Sequence, residues 1–278
     1  NTIQKDYFLP SLNLKYNLND KNSFRLGASK TYTLPQAKEI SPYRYVGVNF
    51  NSQGNPNLKP SDNYNLDLKW DFNPTPTELI SLTAFYKLIK NPISRIEVAS
   101  AGGYLSYENI ADKATVAGVE IEIRKNLFVR PVSNAAHGMN KLSLGLNGSY
   151  IYTNAKMPLA TVTTGSQLEG AAPWIVNFDL SHNFTKGERS FVNTLVLNYV
   201  SDKIYTIGTQ GYQDIMEQGV LTLDFVSQAK LNKHLSLNLK ARNLLNPSYK
   251  LSRKANENGE KVILNDYKKG INISLGVS

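Results

Sequence analysis

The stretch GNPNLKPSDNYNLDLKWDF, from Gly54 to Phe72, changes character in its middle. Its first seven residues, GNPNLKP, are mostly Gly, Asn and Pro, which favour turns. From Asn63 on, the even positions are apolar and the odd positions are polar, so Leu68 lies between Asp67 and Lys69. A period of two is typical of a β-strand with one apolar and one polar face. The stretch therefore predicts a turn that leads into an amphipathic strand.

The same alternation recurs along the whole chain, and no window of helical length shows a period of 3.6 residues. We count eleven long strands and no domain boundary within residues 1–278. The predicted strands lie at 7–18, 23–32, 63–72, 78–89, 114–125, 142–152, 174–184, 191–199, 221–225, 235–239 and 271–277.

The connections between the predicted strands alternate in length. Those after strands one, three, seven and nine are short: NDKN, NPTPT, TKGER and LNKH. Those after strands two, four, six, eight and ten are long and rich in Gly, Asn, Tyr and Pro. The link after strand five, KNLFVRPVSNAAHGMN at 125–140, should be short by this pattern and is predicted to be long instead. Short and long connections that alternate in this way indicate an antiparallel meander, in which the short turns lie at one end of the strands and the long loops at the other.

Two architectures fit such a meander, a soluble sandwich or propeller and a transmembrane barrel. Soluble strands are usually about 5–6 residues long, whereas membrane strands need ~9–11 residues, and most strands here have the longer span. Aromatic residues also stand at the ends of several apolar rows, as they do where a barrel meets the membrane interfaces. We therefore predict a barrel whose apolar rows face lipid. The lipid-facing candidates are Tyr64, Leu66, Leu68, Trp70, Phe72, Leu142, Leu144, Leu146 and Trp174.

The composition limits the chemistry. The chain has no cysteine, which excludes disulfides, thiolate metal ligands and a cysteine nucleophile. Its 31 Lys and Arg outnumber 22 Asp and Glu, but they are scattered, so no nucleic-acid partner is predicted. His137, His182 and His234 are far apart, and no nucleophile elbow, metalloprotease pair or glycine-rich phosphate loop is present. We predict no catalytic residues, no metal site and no cofactor, and a protein that is not an enzyme.

Six fragments together resemble the TonB-dependent receptors of Gram-negative outer membranes. One is the opening stretch, which follows SKTYTLP, and the six occur in the order found in that family. The other five are LISLTAFYKLIKNPISRI, VAGVEIEIRKN, LEGAAPWIVNFDLSHNF, NYVSDKIYTIG and LSLNLKARNLLNPSY. The resemblance implies a 22-stranded barrel filled by an N-terminal plug, with this chain as the C-terminal half and an outer-membrane location.

Half a barrel leaves two strand edges unpaired in lipid, where each unsatisfied backbone group costs several kcal/mol. The plug, the first strands and the region that contacts the TonB complex are therefore expected outside this chain, with residues missing at both ends. Its expected partners are outer-membrane lipid, the TonB complex through that absent region, a transported ligand and, as a further candidate, a surface lipoprotein.

The resemblance implies active transport of a scarce, bulky ligand such as a siderophore, a cobalamin or an oligosaccharide. Two rival functions fit the same strands: a passive porin, and a structural or assembly barrel that anchors a partner complex. Tyr and Arg bind planar or anionic ligands by stacking and bidentate hydrogen bonding, although the same tyrosines could instead pack one loop on another. The ligand-binding candidates in the long loops are Tyr43, Arg44, Tyr45, Tyr104, Tyr107, Lys203, Tyr205, Tyr212 and Asp214.

Overall fold

A computed structural model describes residues 6–100, 103–132, 138–157, 165–255 and 259–278. The described part is almost entirely β-structure, with one four-residue helix, α1 (Ala37–Ile40). No helix in these ranges has the length and apolar character needed to cross a membrane. The strands are β1 (Ser11–Asn17), β2 (Asn22–Thr33), β3 (Arg44–Tyr45), β4 (Ser52–Gln53), β5 (Ser61–Phe72), β6 (Leu79–Lys90), β7 (Ile93–Val98), β8 (Tyr104–Asn109), β9 (Lys113–Pro131), β10 (Met139–Ala155), β11 (Trp174–Lys186), β12 (Arg189–Val200), β13 (Lys203–Thr206), β14 (Ile215–Glu217), β15 (Val220–Lys230), β16 (Ser236–Arg242), β17 (Ser248–Lys254), β18 (Lys261–Lys268) and β19 (Asn272–Val277).

Eleven of the strands form one antiparallel sheet, in the order β1-β2-β5-β6-β9-β10-β11-β12-β15-β16-β19. Consecutive long strands along the chain are neighbours in this sheet, from the β1–β2 pair to the β16–β19 pair. The sheet is therefore an up-and-down meander. This confirms the predicted all-β arrangement of eleven long strands.

The register of the sheet keeps apolar and polar rows on opposite faces. On the apolar face, Leu68 of β5 lies opposite Leu26 of β2 and Ala84 of β6. On the polar face, Lys69 lies opposite Arg25. The Asp71 carboxylate stands 3.5 Å from both the Arg25 guanidinium and the Lys69 ammonium group. The apolar row leaves much side-chain surface exposed, with Leu66 at 50% and Leu68 at 52%, whereas Asn63 and Asp71 of the polar row are buried.

The link after the fifth long strand was predicted wrongly as a long loop. The residues KNLFVRP, at 125–131, continue β9, and β10 already begins at Met139. The Val132 N–H donates to the Gly138 carbonyl over 3.1 Å, which closes the connection between the two strands. The connection is short, like the other links on that edge. The register of β9 against β10 shifts at this point, so that Asn126 lies opposite Ser143 and Phe128 lies opposite Leu142. This irregularity interrupts the alternation after Lys125, where the predicted strand ended.

The long connections, which were predicted to be irregular, contain two further four-stranded sheets. The first loop sheet has the order β3-β4-β8-β7, and the second loop sheet has the order β13-β14-β17-β18. β3 and β4 have two residues each, which is too short for a period of two to be recognised. The segment predicted as irregular, 33–61, therefore contains α1, β3 and β4.

The hydrophobic core lies among these connections. Ile96, Leu168, Ile204 and Ile207 are all less than 9% exposed and belong to one buried cluster that also includes Ala114 and Ala155 at the ends of β9 and β10. Burial of apolar surface contributes roughly 25 cal/mol per Å². The loops are thus held together by their own core, at one edge of the long sheet.

One glycine on the polar face of the sheet is required by an aromatic ring. Gly118 of β9 lies opposite Phe85 of β6. A Cβ atom at Gly118 would stand 2.4 Å from Phe85 Cζ and 2.5 Å from the Tyr150 carbonyl oxygen. Because one of these obstacles is backbone, the sheet itself would have to shift.

We predict that Gly118→Ala destabilises the folded barrel by about 1–3 kcal/mol, the usual cost of overpacking. The matched control is Gly148→Ala on β10, where a Cβ would meet only Ile121 Cγ2, at an ordinary 3.7 Å. Urea unfolding of the full-length protein in lipid vesicles measures both. Equal stability of the two variants would contradict the close packing of Phe85 on Gly118.

Candidate ligand site in the loops

The two loop sheets are joined by a short parallel pairing between β7 and the segment after β13. The Glu97 N–H donates to the Ile207 carbonyl and the Ile207 N–H donates to the Arg95 carbonyl, both over 3.0 Å. The Thr209 hydroxyl also donates to the Glu97 carbonyl. Two loops that are distant in sequence are thereby fixed as one body, which we call the loop cluster.

Arg95 is the most constrained charged residue of the loop cluster. Its guanidinium donates to Glu169 Oε1 through Nε at 3.2 Å and Nη2 at 2.7 Å, and its backbone N–H donates to Glu169 Oε2 over 2.6 Å. The Glu169 segment is itself fixed, because the Gly170 N–H donates to the Ile204 carbonyl over 2.8 Å. The guanidinium also lies over the Tyr205 ring, 4.0 Å from its centroid. Glu169 thus holds one edge of the Arg95 guanidinium and Tyr205 covers one of its faces. A guanidinium fixed in this way is preorganised to bind an anionic or planar ligand.

Burial and charge set the protonation of this site. Burial on its own would lower the pKa of the Arg95 guanidinium, but the hydrogen bond and the negative charge of Glu169 outweigh it, and the pKa lies above its ordinary value. Burial raises the pKa of the Tyr107 phenol, with the positive charge of Arg95 opposing that shift. Tyr107 therefore keeps its proton at neutral pH and remains a hydrogen-bond donor.

Arg95, Tyr107 and Tyr205 line a cavity of about 230 Å³. Phe50, Lys38 and Asn265 contribute to the same wall, and the Phe50 ring lies 6.2 Å from that of Tyr205. The cavity thus combines cationic groups, phenols and an amide around aromatic faces. Such a lining suits an anionic, oxygen-rich or planar ligand.

A second cavity, of about 370 Å³, lies against the second loop sheet and is more basic. Arg253, Lys254 and Lys261 line it together with Asp214. Arg253 forms an ion pair with Glu97 of β7 and lies 5.2 Å above the Tyr212 ring. The Glu97–Arg253 pair is therefore a further bridge between the two loop sheets.

The predicted ligand-binding residues divide between these cavities and their surroundings. Tyr107 and Tyr205 line the first cavity and Asp214 lines the second, where Asp214 Oδ1 also accepts the Gly208 N–H at 2.8 Å. Tyr212 lies beside the second cavity, beneath Arg253. Lys203 is paired across β13 and β14 with Glu217 at 3.3 Å.

The remaining candidates lie outside both linings. Tyr43 is 75% exposed. Arg44 lies over the Tyr104 ring at 5.6 Å, and Tyr45 lies 5.4 Å from the Lys38 ammonium group. The described residues therefore bring the candidates together only in part.

Sequence reasoning missed Arg95, Glu169, Glu97 and Arg253, the charged residues that join the loops. Arg95 and Glu169 stand inside the quoted fragments LISLTAFYKLIKNPISRI and LEGAAPWIVNFDLSHNF. In the sequence each of these residues is an isolated charged residue near a loop. Such a residue cannot be distinguished from an ordinary solvent-exposed one until its partner is known. Phe50 was also missed, because a single aromatic residue in a loop does not indicate a binding site until its neighbour Tyr205 is known.

No cluster of three or more His, Asp or Glu side chains suited to a metal occurs in the described ranges. His182 shares a hydrogen bond of 2.8 Å with Asn140 Oδ1 on the long sheet. His234 lies in the turn between β15 and β16, and His137 lies outside the described residues.

Comparison with known proteins gives a consistent result. Residues 1–244 match the family described as "TonB dependent receptor-like, beta-barrel". The chain is 25% identical over 228 residues to an iron-regulated outer membrane virulence protein of Vibrio cholerae, covering 78% of this chain and 32% of that protein.

Solved structures that share its fold include two siderophore receptors. One is a ferric enterobactin receptor mutant of Pseudomonas aeruginosa in complex with enterobactin, with a TM-score of 0.61, 17% identity and coverage of 97% of this chain and 40% of the receptor. The other is the ferric yersiniabactin uptake receptor of Yersinia pestis, with a TM-score of 0.58, 16% identity and coverage of 97% and 36%.

The chain spans about a third of the length of the curated relatives and about two fifths of the receptor structures. At 16–17% identity the structural matches show the fold alone. The family assignment rests instead on the family match, which covers most of the chain. Its eleven-stranded antiparallel meander agrees with that match. The chain belongs to the β-barrel family of TonB-dependent receptors, located in the outer membrane of Gram-negative bacteria.

Proposed function

We propose that this chain is the C-terminal half of a 22-stranded barrel that imports a scarce, bulky ligand with energy supplied through TonB. Eleven strands are half of the number expected for a plugged transporter of this kind. The plug and the region that contacts the TonB complex belong to the rest of the protein. The relatives named as uptake receptors support the transport role.

In this proposal the apolar rows face lipid and the polar rows face the lumen and plug. Leu66 and Leu68 are 50% and 52% exposed on the sheet, and Trp174 is 52% exposed at the loop end of its strand. Tyr64 is also exposed, whereas Trp70, Phe72, Leu142, Leu144 and Leu146 are half-buried by their neighbours on the same face. Apolar surface of this extent on a continuous face is what a lipid-exposed barrel wall requires.

The observation that carries the ligand proposal is the cavity lined by Arg95, Tyr107 and Tyr205. Among the described residues, Lys38 and Arg95 are the charged ones that line this cavity, and Glu169 pairs with Arg95 only. The remaining positive charge and the protonated phenol of Tyr107 favour an anionic, oxygen-rich chelate over a neutral oligosaccharide. The relatives named for ferric enterobactin and ferric yersiniabactin suggest that the chelate is a ferric siderophore.

We predict that Arg95→Gln weakens siderophore binding by about 10- to 100-fold, because hydrogen bonds to charged groups are worth about 1.5–3 kcal/mol. The measurement uses the full-length protein in cells that lack other siderophore receptors, with ⁵⁵Fe-enterobactin and ⁵⁵Fe-yersiniabactin as probes. Arg130→Gln, at the opposite edge of the sheet, is the matched control.

Equal binding by the Arg95 and Arg130 variants would exclude this cavity as the ligand site. Hydrogen exchange of the loop amides shows whether the Arg95 variant keeps its loop structure. Dissipating the proton-motive force is expected to stop uptake, whereas flux through a passive pore would continue.

A further inference from the structure

Three lysines lie near one another on the apolar face of the long sheet, at the ends of the strands that carry the loops. Lys90 of β6 and Lys113 of β9 share one row with Asp62, and Lys30 of β2 lies in the next row, opposite Tyr64. The next residues down the same face are apolar, beginning with Ala28 and Leu66. We call Lys30, Lys90 and Lys113 the lysine rim.

The lysine rim is short of negative charge. Lys30 pairs with Asp62 over 3.6 Å, and no ion pair within the described ranges involves Lys90 or Lys113. Lys90 and Lys113 are both exposed and stand directly opposite each other, an arrangement of like charges that destabilises a strand pair. The ammonium groups of Lys90 and Lys113 therefore lie in one row whose acidic side chain, Asp62, is paired with Lys30.

Tyr64 fixes the position of the rim. The Lys30 and Lys90 ammonium groups lie 5.6 Å and 5.4 Å from the centroid of its ring. The ring thus lies within cation–π distance of two ammonium groups, near the loop end of the apolar face. Lysines at the ends of membrane strands extend toward the headgroups, and a phosphate there would offset the repulsion between Lys90 and Lys113.

The rim is confined to one part of the sheet. At the same edge, the neighbouring strands present aromatic residues on the apolar face instead: Tyr152 of β10, Trp174 of β11 and Tyr199 of β12. Those side chains suit a general membrane interface. Within the described strands β10, β11 and β12, no such cluster of lysines occurs at this end of the apolar face.

We propose that the lysine rim, with Tyr64, binds the phosphate-bearing headgroup of a glycolipid in the outer leaflet. With the long loops outside the cell, the rim lies at the height of that leaflet's headgroups. Lys recognises phosphate as a point charge, and basic residues near a membrane surface attract anionic lipid by about 1 kcal/mol each. The inference rests on the orientation of the barrel and not on transport.

The test is native mass spectrometry of the full-length protein in detergent. The probes are lipid A with both phosphates, the same lipid after removal of its phosphates, and inorganic phosphate as a competitor. The wild type is expected to retain phosphorylated lipid A, to lose it when the phosphates are removed, and to keep it in the presence of inorganic phosphate. The combined variant Lys30→Gln, Lys90→Gln and Lys113→Gln is expected to lose most of the bound lipid.

The matched control is Lys87→Gln, Lys125→Gln and Lys141→Gln, which removes the same charge from positions away from the rim. Its lipid binding should equal that of the wild type. Gel migration before and after heating shows whether each variant is folded. If the combined variant does not fold, the single variant Lys90→Gln is tested in its place. Unchanged binding in the rim variant, equal loss in the control, binding of the dephosphorylated lipid, or displacement by inorganic phosphate would each overturn the proposal.

Discussion

Leu68→Lys is expected to lower the free energy of unfolding of the full-length barrel by about 2–4 kcal/mol, the cost of a lysine at the bilayer midplane on a lipid-facing strand. Leu68 lies in the middle of the apolar row of β5, between Leu26 and Ala84 of the neighbouring strands. A charge at this height cannot reach either interface without distortion, so the cost is near its maximum.

The matched control is Asp67→Lys, one residue away on the opposite face of β5. Asp67 and Leu68 are both exposed on the sheet, so exposure does not distinguish them. In the proposed orientation the two positions differ in the medium that their face meets, which is lipid for Leu68 and a hydrated lumen for Asp67. The Asp67 variant should therefore lose far less stability.

Refolding into lipid vesicles, with urea titration, measures both variants. Similar losses at the two positions would show that the faces are assigned wrongly. A larger loss for Asp67→Lys would place lipid on the polar face and would remove the basis of the lysine-rim proposal.

Ile207→Ala is expected to loosen the loop cluster by about 2–5 kcal/mol, the usual cost of truncating a buried Ile to Ala. Ile207 is 1% exposed, and its backbone forms the pairing that joins the two loop sheets. Loops and strands open as separate units in many proteins. The effect should therefore be confined to the loops and spare the long sheet.

Hydrogen exchange of the full-length protein, followed peptide by peptide, provides the measurement. Amides of β7 and β13 should exchange at least about tenfold faster in the variant, since each 1.4 kcal/mol is a factor of ten. Val48→Ala, at a fully exposed loop position, should leave these rates unchanged. Faster exchange throughout β5 and β6 would mean that the loops and the sheet unfold as one unit.

How well the sequence predicted the fold depended on the length of each element. β5 has twelve residues, of which the ten at 63–72 alternate, and the predicted span, 63–72, differs from Ser61–Phe72 only at the first two residues. Strands of two residues, such as β3 and β4, carry no readable period. The first connection therefore looked irregular although it contributes to a sheet.

The candidate site was predicted less completely, because binding residues are identified by their partners. Tyr107 and Tyr205 were found from residue type alone, and both line the first cavity. Arg95 was not found, since its pairing with Glu169 spans 74 positions. Arg253 and Glu97 are separated by 156 positions. Such contacts form only when long loops bring distant residues together, and the alternation of side chains along the sequence does not show which loops meet.

The sequence by itself determined the long strands, their two faces and the family, because side-chain alternation and turn residues are local properties of the chain. Only the tertiary structure decided that Ile96 meets Ile207, that Phe85 covers Gly118 and that Lys30, Lys90 and Lys113 share one edge. These relations depend on strand register and on the closure of long loops. In the opening stretch, accordingly, the alternation defined an apolar row from Tyr64 to Phe72, but the register across three strands placed lysines beside Tyr64.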